Sequence, residues 1–285
     1  MEQKVAVAYL VWVPFGIKTY TNFLESYLKY KAGCSHTLLL LFNGVKADDD
    51  IKEFIELTNK LKVTNYAYLI FEKGQDMEIY QLSCSKVDFD LMLFLNSYST
   101  FNAANWLKYF VDNFTDDVGM IGASASNQSV LSSVFTLNKF SWEFDKNFVY
   151  NFRKYKLLIK AFFYWRLYYK AYPCPHIRAT AYMLRRKDYL TIKNKFPLKN
   201  KFDAYKVECG YNSITNQLLK KGYSLGVVNN ENKYFDLMEA FHSNTFRKAN
   251  QVKLLINDKQ TNLYATADDK EKSILELLAW GIKAN

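Results

Sequence analysis

The sequence predicts an α/β protein: a mostly parallel sheet flanked by helices. Three observations predict it. Short, uninterrupted apolar runs recur along the first half of the chain, and each is followed by a stretch with helical spacing of apolar residues. The run Leu91–Leu95 stops abruptly at the polar cluster Asn96-Ser97-Tyr98-Ser99. A short apolar run bounded by turn residues reads as a strand buried on both faces. Ligands in such sheets sit just outside the carboxyl ends of the strands. Asn96, Ser97 and Ser99 therefore stand where a ligand would be held; the plain alternative is an ordinary Asn/Ser turn.

The elements follow in order. Residues 4–13 read as a first buried strand, ended by Pro14, Phe15 and Gly16. Residues 17–30 carry a stripe of Ile17, Tyr20, Phe23, Leu24, Tyr27 and Leu28, and Gly33 is the expected helix stop. Residues 37–42 form a second strand, ended by Asn43-Gly44. Asp48, Asp49 and Asp50 suit the start of a helix that turns Ile51, Phe54, Ile55 and Leu61 inward. Residues 66–71 and Leu91–Leu95 are the third and fourth strands. Beyond them, 105–114 reads as a helix and 118–121 as a strand with a small-residue turn after it. Glu208–Lys221 reads as a helix ended by Gly222, and 268–282 as a C-terminal helix.

At 285 residues, nearly half of them apolar, the chain can bury a substantial core. The four cysteines form no CxxC pair, and with three histidines no zinc spacing appears, so reduced thiols are expected. Neither a secretory h-region nor a membrane-spanning run is evident. The net charge of +10 is local: from Lys146 to Lys187 there is no Asp or Glu, and that window holds most of the excess Lys and Arg.

The order of several short segments resembles the GT-A class of nucleotide-sugar-dependent glycosyltransferases, near its large family 2. They are Val13-Pro14-Phe15-Gly16, Gly74-Gln75-Asp76 with Tyr80, and Phe94-Leu95-Asn96-Ser97-Tyr98-Ser99. Asn105-Trp106-Leu107, Gly119 to Ser124, His176-Ile177-Arg178 and Glu208 to Ser213 follow. The resemblance implies a GT-A-like, Rossmann-like domain over residues 1–250, with a nucleotide-sugar half (1–115) and an acceptor half (116–250). Residues 251–285 would be a helical extension. It also implies a nucleoside-diphosphate sugar as donor, with Pro14, Asn43, Gly74, Asp76, Asn96, Ser97 and Ser99 on its side of the site. The class usually closes its fourth strand with Asp-x-Asp, which holds Mn²⁺ or Mg²⁺. Here Asn96-Ser97-Tyr98 stand instead, and neutral oxygens are poor ligands for such ions, so the metal stays unassigned.

Sugar transfer needs a base for the acceptor hydroxyl and a stabiliser for the leaving diphosphate. The resemblance points to Glu208, at the expected start of a helix, as that base, with Asp203 as competitor; a carboxylate there could also serve only the helix dipole. Arg178 could fork onto phosphate oxygens beside His176, with Arg185, Arg186 and Arg247 as further cations. His242 matches a position where some members place a metal- or phosphate-binding histidine. Trp106 reads as core more readily than as pocket lining.

Read as a helix, Phe152–Tyr172 sets Arg153, Lys156, Lys160, Arg166 and Lys170 on one arc, with Leu158, Ala161, Phe162, Trp165, Tyr168 and Tyr169 opposite. Such a basic, aromatic helix suits an anionic membrane surface. The expectation is therefore a cytoplasmic enzyme, peripheral on the inner face of a membrane, acting on a glycan or glycolipid acceptor. No nucleic-acid motif accompanies the charge. The rival readings are a non-catalytic GT-A-like scaffold of a glycan-assembly complex and a basic membrane-surface-binding protein.

Overall fold

The computed structural model describes residues 3–133, 156, 159–160, 162–194 and 197–281. The strands are β1 (Val5–Trp12), β2 (Thr37–Asn43), β3 (Tyr66–Phe71), β4 (Leu91–Leu95), β5 (Thr100–Phe101), β6 (Val118–Gly122), β7 (Ala125–Ser126), β8 (His176–Ile177), β9 (Ala181–Arg185), β10 (Ser224–Val228), β11 (Tyr234–Asp236) and β12 (Ile256–Asn257). Eight of them form one sheet in the order β11-β10-β6-β9-β4-β1-β2-β3. The pairs β4-β1, β1-β2, β2-β3 and β6-β10 are parallel. β9 runs antiparallel between β4 and β6, and β11 runs antiparallel at the edge.

The strands are apolar on both sides because helices cover both faces. Ala6, Ala8, Leu10, Met92 and Phe94 face one core, with Tyr80, Tyr189 and Leu218 packed on them. Val5, Val7, Tyr9, Leu91, Leu93 and Leu95 face the other, under Phe23, Phe54 and Trp106. Trp106 is fully buried, stacks on Phe101 with ring centroids 3.9 Å apart, and donates to the Tyr30 carbonyl. It is core.

The first half matches the expected alternation, with helices at Ile17–Lys29, Lys52–Lys60, Asp76–Cys84 and Trp106–Asp112. Asp50 caps the 3₁₀ turn Asp48–Ile51 that leads into the second of these by accepting from the amides of Lys46 and Ala47. Gly33 is not a helix stop. The first helix ends at Lys29, and Gly33 lies against Asn105, where a Cβ would come within 2.7 Å of the Asn side chain.

The second half departs further. The expected helix Glu208–Lys221 is two helices, Lys201–Cys209 and Ile214–Lys220. The break has three causes. A Cβ at Gly210 would meet the Lys206 carbonyl at 2.5 Å, Gly210 bridges to Tyr169, and Ser213 caps the second helix. Glu208 is thus the penultimate residue of a helix, not its first. The C-terminal helix is Asp269–Trp280, capped by Asp268 and ended by Gly281 in the left-handed conformation. Residues 251–281 pack on the same body: Ile256 pairs with Phe101, and Trp280 is buried and donates to the Phe246 carbonyl.

Much of the basic amphipathic stretch, 152–155, 157–158 and 161, lies outside the described residues. A helix does not reach 172: Trp165–Leu167 is a 3₁₀ turn and Tyr169 bridges to Gly210. Trp165 and Tyr169 are drawn inward, while Ile159, Phe162, Phe163 and Leu167 stay exposed beside Lys156, Lys160 and Arg166. No described helix is long and apolar enough to cross a membrane.

Candidate active site

The carboxyl ends of β1, β2 and β4 open into a cavity of about 770 Å³. Trp12, Asn43 and Asn96 reach its wall from these ends, Gly74 and Gln75 from the loop after β3, and Asp76 from the start of the helix that follows. Because β9 runs the other way, the segment entering it, Arg178 to Thr180, lies at the same end of the sheet. The helix Lys201–Cys209 closes the cavity with Lys201, Ala204, Tyr205 and Glu208, one face at helical spacing.

One wall is acidic. Glu208 Oε1 accepts from the Ala179 amide at 2.8 Å, which fixes the carboxylate while leaving its second oxygen for a ligand. Asp76 starts the Asp76–Cys84 helix and takes the Met77 amide at 2.9 Å. Desolvation pushes Asp76 up to about 6, against the Met77 hydrogen bond, and the negative charge of Glu208 adds to the rise. His176 is buried, with Nδ1 donating to the Cys174 carbonyl at 2.7 Å. That bond leaves the lone pair on Nε2. Burial lowers the His176 pKa although Glu208 opposes the shift, so the imidazole is neutral at pH 7.

The other wall is cationic. Arg178 and Asp258 form a buried pair, with Nη1 2.7 Å from Oδ2 and Nη2 3.3 Å from Oδ1. Arg178 also donates to the Ser124 hydroxyl and stacks on Phe246. Burial raises the Asp258 carboxyl, but the Arg178 charge and hydrogen bonds outweigh it and hold it below its ordinary value. Asp258 additionally accepts from the amides of Gln260 and Thr261, capping the helix Lys259–Thr266. Arg247, also near the Phe246 ring, donates to Gln128 and Gln260.

The rim is aromatic on both sides. Trp12, Phe15 and Tyr98 stand together at the strand ends, and Trp165 and Tyr205 line the side near the Lys201–Cys209 helix.

Asn43, Gly74, Asp76, Asn96, Ser97, His176, Arg178, Glu208 and Arg247 are thus brought together on one cavity. Asn43 donates to the Gly74 carbonyl and keeps a buried Oδ1 without a partner among the described residues. The other expected residues lie elsewhere. Pro14 is exposed and packs by Gly44, whose φ of +83° lets the β2 turn approach the proline ring. Ser99 is buried behind the turn, donating to Asn96 Oδ1. Asp203 sits on the first turn of its helix, paired with Lys206 at 3.0 Å and capping the Lys199 amide, away from the cavity. His242 packs edge-on to Phe241 and does not reach the cavity. Arg185 and Arg186 hold Asp188, Asp88 and backbone carbonyls on the far side of β9.

Residues 96–98 do not fit a divalent cation. Asn96 Oδ1 is engaged by the Tyr98 amide at 3.0 Å and the Ser99 hydroxyl, and the Ser97 carbonyl accepts from Tyr9. Neutral oxygens already occupied in a turn are weak ligands for Mg²⁺ or Mn²⁺. Among the described residues, no group of three His, Cys, Asp or Glu side chains is placed to hold a metal.

Asp258, Phe246, Gln128, Gln260 and Lys201 went unread in the sequence. The signal for Asp258 is its capping pattern with Thr261, and for Lys201 the spacing of 201, 204, 205 and 208.

No known family model matches the chain, and no curated protein does. Solved structures that resemble its fold include these three. The mannosyltransferase PcManGT from Pyrobaculum calidifontis, in complex with GDP-Man and Mn²⁺, is 9% identical with a TM-score of 0.46, covering 79% of this chain and 54% of its own. The glycosyltransferase GlyE of Streptococcus pneumoniae TIGR4, in its apo form, is 13% identical, with a TM-score of 0.41 and coverage of 78% and 44%. The bifunctional glycosyltransferase WbbM, also apo, is 11% identical, with a TM-score of 0.43 and coverage of 78% and 38%. The chain spans about half, or less, of the length of these structures. All three are glycosyltransferases, but the likenesses are weak, and the residues of the cavity carry the functional argument.

Proposed function

We propose that this chain is a glycosyltransferase that moves a hexose or deoxyhexose from a nucleoside-diphosphate sugar to a hydroxyl of a glycan or glycolipid. The observation that carries the reading is Glu208. Its carboxylate is anchored by one backbone amide inside a cavity at the strand ends, with its second oxygen available to a ligand. In the proposed step the acceptor O–H loses its proton to Glu208, and the oxygen attacks the anomeric carbon. The C–O bond to the diphosphate breaks, and the diphosphate leaves with the bonding pair. Attack from the side opposite the leaving group inverts the anomeric centre.

The donor occupies the side lined by Trp12, Asn43, Asp76 and Asn96. An unpartnered Asn43 oxygen suits a donor N–H of a nucleobase. The acceptor occupies the side of Glu208, Trp165 and Tyr205, whose flat rings suit the C–H face of a sugar. Exposed Ile159, Phe162, Phe163 and Leu167, interleaved with Lys156, Lys160 and Arg166, support contact with an anionic membrane surface. That placement, on the cytoplasmic face of a membrane in surface-glycan assembly, predicts co-sedimentation with anionic but not neutral vesicles; equal behaviour with both would remove it.

Glu208→Gln keeps the acceptor for the Ala179 amide and removes the base. Transfer should fall by roughly 10²–10⁴-fold with melting temperature preserved. Near-normal turnover in a folded Glu208→Gln protein would sink the assignment. The neutral residues at 96–98 favour one other reading, a donor-binding scaffold without turnover. That reading predicts nucleotide binding in the wild-type chain but no transfer to any acceptor.

A further inference from the structure

We propose that the cationic wall binds a diphosphate without a metal ion, and that Arg247 is the charge that meets it. Only the source of the diphosphate, a nucleotide donor, rests on the function proposed above.

Three charged side chains are buried at this wall: Arg178 at 6% exposure, Arg247 at 4% and Asp258 at 2%. Asp258 is spent on Arg178, which it grips with both oxygens. Among the described residues, Arg247 has only neutral hydrogen-bond partners, Gln128 Oε1 at 3.2 Å and Gln260 Oε1 at 2.9 Å, and its Nε has none. Both guanidinium groups lie near the Phe246 ring, 3.9 and 4.8 Å from its centroid. The cluster therefore carries one positive charge in excess. An uncompensated buried charge is strongly unfavourable. Burial and then the nearby Arg178 lower the Arg247 pKa to about 10, still well above neutrality, so the charge persists at pH 7. An anion entering the cavity relieves that cost.

The position of the cluster selects the anion. The Asn96 amide donates to the Thr180 carbonyl, so Arg178 begins two residues from the turn at the end of β4. Lys259, next to Asp258, stands 5.5 Å from the Tyr98 ring centroid. The excess charge thus lines the same cavity as residues 96–98, where the side chains are neutral and the Asn96 oxygen is already used. A guanidinium forks onto phosphate oxygens and needs no metal to do so. A diphosphate leaving group at this turn would have its growing charge met by Arg247.

The test is calorimetry of the whole 285-residue chain with inorganic pyrophosphate in EDTA, with UDP and GDP as parallel arms. The wild-type chain should bind pyrophosphate equally well in EDTA and in Mn²⁺. Arg247→Gln should weaken binding by about tenfold to a hundredfold, the effect of losing a charged hydrogen bond. Binding that requires Mn²⁺, or an unchanged affinity in a folded Arg247→Gln protein, would overturn the proposal. Should Arg247→Gln fail to fold, the wild-type chain decides: its Arg247 Nε–H resonance should move on pyrophosphate titration, and an unmoved signal overturns the site. Pyrophosphate binding through Arg247 in a protein that transfers no sugar would leave this site standing and remove the glycosyltransferase reading. Sugar transfer with Arg247→Gln at wild-type affinity would do the reverse.

Discussion

The two walls of the cavity treat charge in opposite ways. On the acidic wall, burial and the charge of Glu208 make Asp76 costly to ionise, with Lys201 opposing them only in part, and His176 is neutral. On the opposite wall, among the described residues, the cations outnumber the anion, and the carboxylate of Asp258 is held ionised by Arg178. The first arrangement keeps a carboxylate ready to take a proton. The second keeps a positive charge ready to take an anion. Proton removal and leaving-group stabilisation need these two environments, and one cavity holds both.

Breaking the paired side should cost most. Arg178→Met leaves Asp258 buried without its partner, and removing one member of a buried ion pair costs about 3–5 kcal/mol. Denaturant titration should show that loss. The double variant Arg178→Met/Asp258→Asn should recover part of it, because no lone charge remains. Strictly additive losses would mean that the two side chains do not act as a pair.

The acidic wall offers a smaller handle. Asp76 binds its proton more tightly folded, at about 6, than its ordinary 3.8. Between these values the folded state holds more protons than the unfolded one, so stability falls as pH rises from about 4 through about 6. Above that window the ionised, desolvated carboxylate is a standing penalty. Asp76→Asn should therefore flatten the slope and stabilise the protein at neutral pH by up to about 3 kcal/mol, keeping the Met77 amide bond. An unchanged slope between pH 4 and 6 would place the proton elsewhere.

The same contrast explains what could be read from the sequence. The β-α-β opening was legible because its strands are apolar on both faces and its helices carry one-sided stripes: Tyr20, Phe23 and Leu24 announce their burial by spacing alone. Asn96 was legible as a strand-end residue for the same reason. β9 was not, because Ala181–Arg185 is short and runs against its neighbours, a property that only tertiary pairing decides. The helix Lys201–Cys209 was hidden because its inward face is polar, aimed at a cavity rather than a core, so Glu208 was read as a first residue instead of a late one. The cationic wall was the least legible. Arg178 and Asp258 lie 80 residues apart, and nothing local to either marks the other as its partner. His242 and Asp203 carried suitable chemistry in suitable order, but one packs on Phe241 and the other on Lys206. Residue type proposes a role; the direction a helix presents its side chain decides it.

The most direct measurement is a thermal-melting panel of UDP, GDP, dTDP and CMP, free and as their sugars, each in Mn²⁺ and in EDTA. A ligand that binds only the folded chain raises its melting temperature. The account predicts a clear rise with one nucleoside diphosphate and its sugar, of equal size in both buffers. No rise with any nucleotide, or a rise seen only in Mn²⁺, would contradict it.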